Sequence, residues 1–181
     1  VTSGLLALAL RKRGLKARSW LGWQLAMKTS PAHGSARIMG FENSGLLDAV
    51  DGGEVAVIAG FQGVTDEGRV STLGRGGSDT SAVAVAAALG ADSCDIYTDV
   101  DGVYTTDPRI VPQARRLDKI SYEEMLEMAS LGAKVLQTRS VELAMNHQVR
   151  VRVLSSFAAP GEDNPGTYVC SEDEIVEKQV V

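Results

Sequence analysis

The 181-residue chain has few of the residue types from which the commonest catalytic and metal centres are built. It holds two cysteines and two histidines. Cys94 and Cys170 lie far apart and outside any CxxC spacing, so neither a disulfide framework nor a zinc site is indicated, and a reducing, cytoplasmic setting is expected. His33 and His147 stand in no partner pattern, which leaves no serine–histidine–aspartate triad to argue. Basic charge is also scarce. Eighteen Lys and Arg face 23 Asp and Glu, for a net charge of −5 and a pI near 5.1. That balance excludes the electrostatic footprint of a nucleic-acid binder. The one basic cluster, Arg11, Lys12, Arg13, Lys16 and Arg18, follows an apolar helical run and reads as a solvated helix end. No apolar run approaches the length of a membrane span, and the N-terminus lacks a signal-peptide pattern. No internal repeat or low-complexity segment occurs.

What is present is an ordinary globular composition, 44% hydrophobic and 23% charged, in a chain long enough for one domain with a sizeable core. Val1 opens directly on helical sequence, from which residues upstream of it are expected. Ser3 to Arg13 reads as a helix stopped by Gly14, and Lys16 to Leu21 as a strand. Gln24 to Ile38 is polar and reads as a loop or hairpin, followed by a short helix over Asn43 to Val50. Glu54 to Phe61 is a near-continuous β-branched run, which predicts a strand covered on both faces. A hairpin then turns at Asp66 to Gly68. A helix ending at Gly90 leads to a strand over Cys94 to Val100. The capping box of Ser121 and Glu124 starts a helix to Ala129, and a further helix is expected over Lys134 to Asn146. Val149 to Phe157 and Gly166 to Cys170 read as strands. This alternation predicts an α/β fold with a mostly parallel sheet and helices on both faces. Ala158 to Gly166, with two prolines and two glycines, reads as a linker.

Two stretches carry most of the chemistry. In GRGGSD, Gly74 to Asp79, residues without Cβ let several N–H groups point into one concavity, and a helix N-terminus follows directly. Such a turn suits phosphate or carboxylate, and Arg75 adds a planar fork for either. Asp79 could orient a cation or a substrate ammonium group. The spacing matches neither GxGxxG nor GxxxxGK[ST], and a plain turn capped by Ser78 or Asp79 fits it equally. The helix behind it, SAVAVAAAL, is apolar on every side and therefore expected to be buried, a rigid support for a polar turn. The second stretch, YTDVDGVYTTDPR, is a loop at the carboxyl end of a strand, where open α/β sheets bind ligands. It is not an EF-hand: counted from Asp99, the glycine and glutamate positions hold Tyr104 and Ile110. Lys134, in GAKVLQTRS, stands between a helix end and a helix start, where lysines are usually solvated.

GFQG (60–63), TLGRGGSDT (72–80), TDVDGVYTTDPR (98–109) and GAKVL (132–136), in this order and spacing, resemble the aspartokinase group of the amino acid kinase family. The resemblance covers nearly the whole chain. It implies a three-layer α/β/α kinase domain that transfers the ATP γ-phosphoryl group to the side-chain carboxylate of L-aspartate, opening the route to lysine, threonine and methionine. It implies that Arg75, Asp79 and Lys134 are the catalytic residues. Phe61, Arg75, Gly77, Ser78 and Asp79 would bind the amino acid. Thr98, Asp99, Tyr104, Thr105, Asp107, Arg109, Lys134 and Val135 would bind ATP. Mg²⁺ would be held mainly by phosphates, with no protein ligand named. The Lys-x-Gly-Gly turn that opens the family pattern is missing, as is its Ala-Gly-Glu segment. Residues 1–157 are therefore expected to be a partial catalytic domain, and 158–181 a linker toward a C-terminal regulatory (ACT) region. The chain alone is expected to be inactive, and the full-length protein homo-oligomeric. Glutamate, acetylglutamate, carbamate or UMP as acceptor, or a non-catalytic binding subunit, are the alternatives.

Overall fold

A computed structural model describes residues 1–42, 44–133 and 135–176. The chain divides into two compact units, Val1–Leu89 and Gly90–Val181.

In the first unit, α1 (Thr2–Lys12) leads into β1 (Ala17–Trp20), and the short strands β2 (Lys28–Thr29) and β3 (Ile38–Gly40) pair antiparallel where a loop or hairpin was expected. Next come α2 (Ser44–Asp51), β4 (Val55–Ile58), β5 (Gln62–Val64), β6 (Val70–Thr72) and α3 (Gly77–Leu89). Asn43, the expected start of the second helix, lies outside the described residues. β1 and β4 pair in parallel from Ala17↔Val55 to Trp20↔Ile58, with α1 packed on both and α2 on β4. The other strands form a sheet of order β3-β2-β5-β6. Leu25, Met27, Leu46, Leu73 and Val83 are almost fully buried and anchor this unit's core.

One expectation for this unit fails. The run from Glu54 to Phe61 was expected to be a strand covered on both faces, but β4 ends at Ile58, Val55 is exposed and only Val57 is buried. A β-branched run also suits a strand with one open face. The chain then bends away at Phe61, which has a φ of +71°.

The second unit holds β7 (Cys94–Thr98), β8 (Lys119–Ser121), α4 (Tyr122–Ser130), α5 (Thr138–His147), β9 (Val151–Ser155), β10 (Thr167–Cys170) and α6 (Asp173–Val176). Its sheet runs β7-β9-β10-β8. Registers place Cys94, Val151, Val169 and Ile120 in one row across all four strands, and each is buried. The next row is Asp95, Arg152, Tyr168 and Lys119. Alternation of period two thus separates an apolar face from a polar one. On the polar face Arg152 grips Asp95 through two hydrogen bonds, of 3.0 and 2.6 Å, and its guanidinium lies 5.4 Å from the Tyr168 ring centre. Among the described residues four of the seven strand pairings are parallel. The chain is α/β with mostly parallel pairing.

The capping box holds: Glu124 N–H donates to Ser121 Oγ, and Ser121 N–H donates to the Glu124 carboxylate, both at 3.1 Å. The helix expected from Lys134 starts instead at Thr138, because Gln137 is extended. Lys134 itself lies outside the described residues. Residues 158–166 connect β9 to β10, which lies between β9 and β8.

Buried Tyr122 donates its hydroxyl to the Val149 carbonyl at 2.9 Å, tying α4 to the chain entering β9. Burial, with the charge of nearby Cys170 and Glu174 adding to it, pushes this phenol up from 10.0 to about 12. The folded state therefore favours the protonated ring. That stabilisation is complete below pH 10 and is lost as pH rises toward 12, by about 2–3 kcal/mol. Urea titrations from pH 9 to 12 are expected to show this loss in the parent protein. Tyr122→Phe should lack it, although it is less stable at neutral pH for want of a partner to the Val149 carbonyl.

Candidate functional site

The expected acceptor residues gather at one corner of the first unit, where the chain leaving β4 meets the first turn of α3. The glycine-rich turn closes through Gly77 N–H to the Gly74 carbonyl, at 3.0 Å. Thr80 then ties the helix start to the Gly76 carbonyl through both its amide and its hydroxyl, each at 3.1 Å. The Phe61 ring lies on this turn. A Cβ at Gly77 would stand 2.8 Å from Phe61 Cδ2 and 2.9 Å from Leu73 Cβ, so glycine is what lets ring and helix meet. Gly60 lies alongside, with an ideal Cβ 3.6 Å from Ser78 Cα.

Phe61, Gly77, Ser78 and Asp79 are thus brought together, with Arg75 on the same turn. Arg75 is exposed and forms no ion pair among the described residues. Asp79 is half-buried, with Ser78 Oγ donating to its Oδ1 at 3.3 Å. Burial raises its carboxyl above the ordinary value, and the Ser78 hydrogen bond only partly opposes this. The helix N-terminal field also favours a carboxylate here, yet burial prevails. From Asp79 to Leu89 no residue of α3 is exposed, as expected for a buried support.

The expected nucleotide residues belong to the second unit. Thr98 ends β7, and its hydroxyl donates to Asp99 at 3.2 Å, while its carbonyl accepts from both the amide and the hydroxyl of Ser156 at 2.8 Å. The Tyr104 hydroxyl lies 3.1 Å from both Asp101 carboxylate oxygens, and burial is the main reason its phenol is held above the usual range. Thr105 pairs with Arg115 through N–H to carbonyl at 3.0 Å, with Arg115 N–H returning to Thr105 Oγ1 at 3.2 Å. The Arg109 guanidinium donates twice to Asp107, at 3.0 and 2.8 Å, which holds that carboxylate below its ordinary range. Val135 is partly buried. Lys134, expected near the phosphates, lies outside the described residues.

Two supporting residues escape sequence reading. Buried Ser81 donates to the Gly77 carbonyl at 2.7 Å and accepts from the Phe61 N–H at 2.9 Å. Its only sequence signal is a hydroxyl four residues beyond Gly77 in an otherwise apolar helix. Thr167, wholly buried in β10, accepts from Val103 N–H at 2.9 Å and donates to the Leu117 carbonyl at 2.6 Å, pinning both ends of the 103–117 loop. Nothing in the sequence of that strand announces the role. Gly102 passes over this threonine with a φ of +153°, where a Cβ would come within 2.5 Å of Thr167 Oγ1.

Comparison with known proteins bears on the family of the chain. The model of the amino acid kinase family matches residues 1–155. Over 174 residues the chain is 58% identical to an aspartokinase of Pseudomonas aeruginosa, which covers 96% of this chain and 41% of that protein. It is 51% identical to aspartokinase 2 of Bacillus subtilis over 181 residues, covering 100% of this chain and 43% of that one. Among solved structures, E. coli aspartokinase III in complex with aspartate and ADP superposes with a TM-score of 0.83 at 37% identity, over 94% of this chain and 38% of that one. The chain spans about two-fifths of the length of the curated relatives it matches. With the family model matched over most of its length, this chain belongs to the amino acid kinase family.

Proposed function

We propose that this chain carries the acceptor and nucleotide determinants of an aspartate kinase, which transfers the γ-phosphoryl group of ATP to the side-chain carboxylate of L-aspartate. The observation that carries this reading is the corner at α3. There an exposed guanidinium, a glycine-rich turn at a helix N-terminus and a half-buried carboxylate stand together. This set complements an amino acid with a carboxylate at one end and an ammonium group beside it. The names of the relatives, and the aspartate and ADP bound to the E. coli enzyme, support the same acceptor and donor.

In this reading Arg75 clamps a substrate carboxylate, and Asp79, with Ser78, receives the ammonium group. Gly77 lets the Phe61 ring wall the acceptor in. A carboxylate is already ionised at neutral pH, so the reaction needs no general base. The acceptor oxygen attacks Pγ, the bond from Pγ to the β,γ-bridging oxygen breaks, and ADP departs. What the protein must overcome is repulsion between carboxylate and triphosphate, by positioning and by neutralising charge. Thr98, Asp99, Tyr104, Thr105, Asp107, Arg109 and Val135 are assigned to the nucleotide, and Lys134 to its phosphates. Mg²⁺ would be held mainly by those phosphates and would supply further charge neutralisation. Residues 1–157 are assigned to the catalytic domain and 158–181 to a passage toward a regulatory region, with β10 docking that passage on the sheet. A cytoplasmic setting suits a chain whose two cysteines are both buried, and the acyl phosphate would feed lysine, threonine and methionine synthesis in a homo-oligomeric gene product.

The direct test traps the acyl phosphate with hydroxylamine, using the whole gene product with ATP and Mg²⁺. Aspartate is expected to yield the hydroxamate and glutamate to yield none, and the reverse pattern contradicts the reading. Arg75→Ala should raise KM for aspartate about ten- to a hundred-fold, the range for losing a charge-assisted contact, and leave KM for ATP within about two-fold. Equal rises in both would remove Arg75 from the acceptor site.

Asp79 gives a second test, because burial disfavours its charged form. A carboxyl raised in this way lowers stability above its folded pKa, and the penalty disappears as pH falls below the unfolded value of 3.8. Without ligand, Asp79→Asn is expected to be more stable than the parent at pH 7 and no different at pH 3, read by urea unfolding. The same variant should lose affinity for aspartate, since it cannot pair with the ammonium group.

A further inference from the structure

Three non-glycine residues among those described have positive φ: Ala26, Phe61 and Gln148. Gln148 closes α5, where left-handed backbone is common. Phe61 has no such excuse. It is a bulky aromatic at φ +71°, 44% exposed, at the corner after β4. Backbone of this kind persists only where the surroundings over-determine it, and such residues cluster at ligand sites.

Three contacts hold it. The Phe61 N–H donates to Ser81 Oγ at 2.9 Å, its carbonyl accepts from Leu73 N–H at 3.1 Å, and its ring lies against Gly77. The first contact differs from the others because it comes from a side chain. Ser81 is 2% exposed, and its only hydroxyl proton is committed to the Gly77 carbonyl at 2.7 Å. The oxygen can therefore serve Phe61 only as an acceptor. One buried hydroxyl thus joins the strained corner to the turn that bears Ser78 and Asp79. We infer that Ser81 is a positioning residue of the acceptor site: by holding Phe61 left-handed it keeps the ring over the first turn of α3, and so sets affinity for the amino-acid acceptor from inside the helix. The inference rests on the acceptor reading above for the identity of the ligand, though not for the clamp itself.

The test uses the whole gene product and two readouts. Ser81→Ala should raise KM for aspartate about ten-fold while KM for ATP stays within about two-fold, the cost of one orphaned, partly buried N–H. Ser81→Thr, which keeps the hydroxyl, should restore the parent value. In a Phe61→Gly background, where glycine takes the same φ without strain, Ser81→Ala should add less than about three-fold. Equal rises in both KM values overturn the proposal, as does an undiminished effect of Ser81→Ala in that background. The second readout, hydrogen exchange at the Phe61 amide, needs no turnover. It should quicken in Ser81→Ala and recover in Ser81→Thr. A parental rate in Ser81→Ala overturns the clamp whichever acceptor the enzyme uses, whereas failure of aspartate as acceptor appears in the parent protein alone. Should Ser81→Ala not fold, Ser81→Cys, nearly isosteric but a weak acceptor, is read by both measurements with the same outcomes expected.

Discussion

A single backbone torsion, the left-handed φ of Phe61, is the constraint on which the proposed acceptor corner depends. It turns the chain that has left β4 into β5 and seats an aromatic ring on the first turn of α3. The conformation is unfavourable by itself for an aromatic residue. It is held because each neighbour is suited to it: a glycine where the ring lands, a buried serine where the amide points, and a β6–α3 junction that supplies Leu73 N–H to the carbonyl. The polar groups proposed to meet the substrate stand on this frame, and the apolar helix behind them gives the turn little freedom to move.

The second unit holds its polar loop by a different route to the same end. There Thr167, in a β-strand rather than a helix, takes an amide from Val103 and gives a proton to Leu117. Leu117 N–H closes the loop on Val103 at 2.8 Å, so both ends of a long connection are tied to one buried hydroxyl. Within the loop Arg109 pairs with Asp107, and the Tyr104 hydroxyl reaches back to Asp101 just before it. In both units a hydroxyl inside the core orders a polar segment at the surface. Burying it is tolerable because both its donor and its acceptor capacity are used.

Most of the element order was legible in the sequence, because periodicity and end signals agreed: the capping box at Ser121, the hairpin at Asp66 to Gly68, and the apolar helix after GRGGSD. The failures have identifiable causes. The β-branched run in β4 cannot distinguish a strand buried on both faces from one open on a side, since both need the same residue types. The start of α5 was placed early because the residue types at 134–137 are compatible with a helix, whereas Gln137 is an extended N-cap whose carbonyl accepts from the Ser140 amide and hydroxyl. β8 was missed because three residues carry too little pattern. At the candidate site, the charged and glycine residues were legible through their chemistry and the family resemblance. Ser81 and Thr167 were not, because their importance lies in partners 20 and 64 residues away.

In the proposed arrangement the amino-acid acceptor meets the GRGGSD turn while the nucleotide meets the loop after β7. Hydrogen exchange of the whole gene product, measured by mass spectrometry with L-aspartate alone and with Mg-ADP alone, separates the two. Aspartate is predicted to slow exchange in peptides covering 60–63 and 74–81, and Mg-ADP in peptides covering 98–109. Protection of 74–81 by the nucleotide and not by aspartate would contradict the assignment.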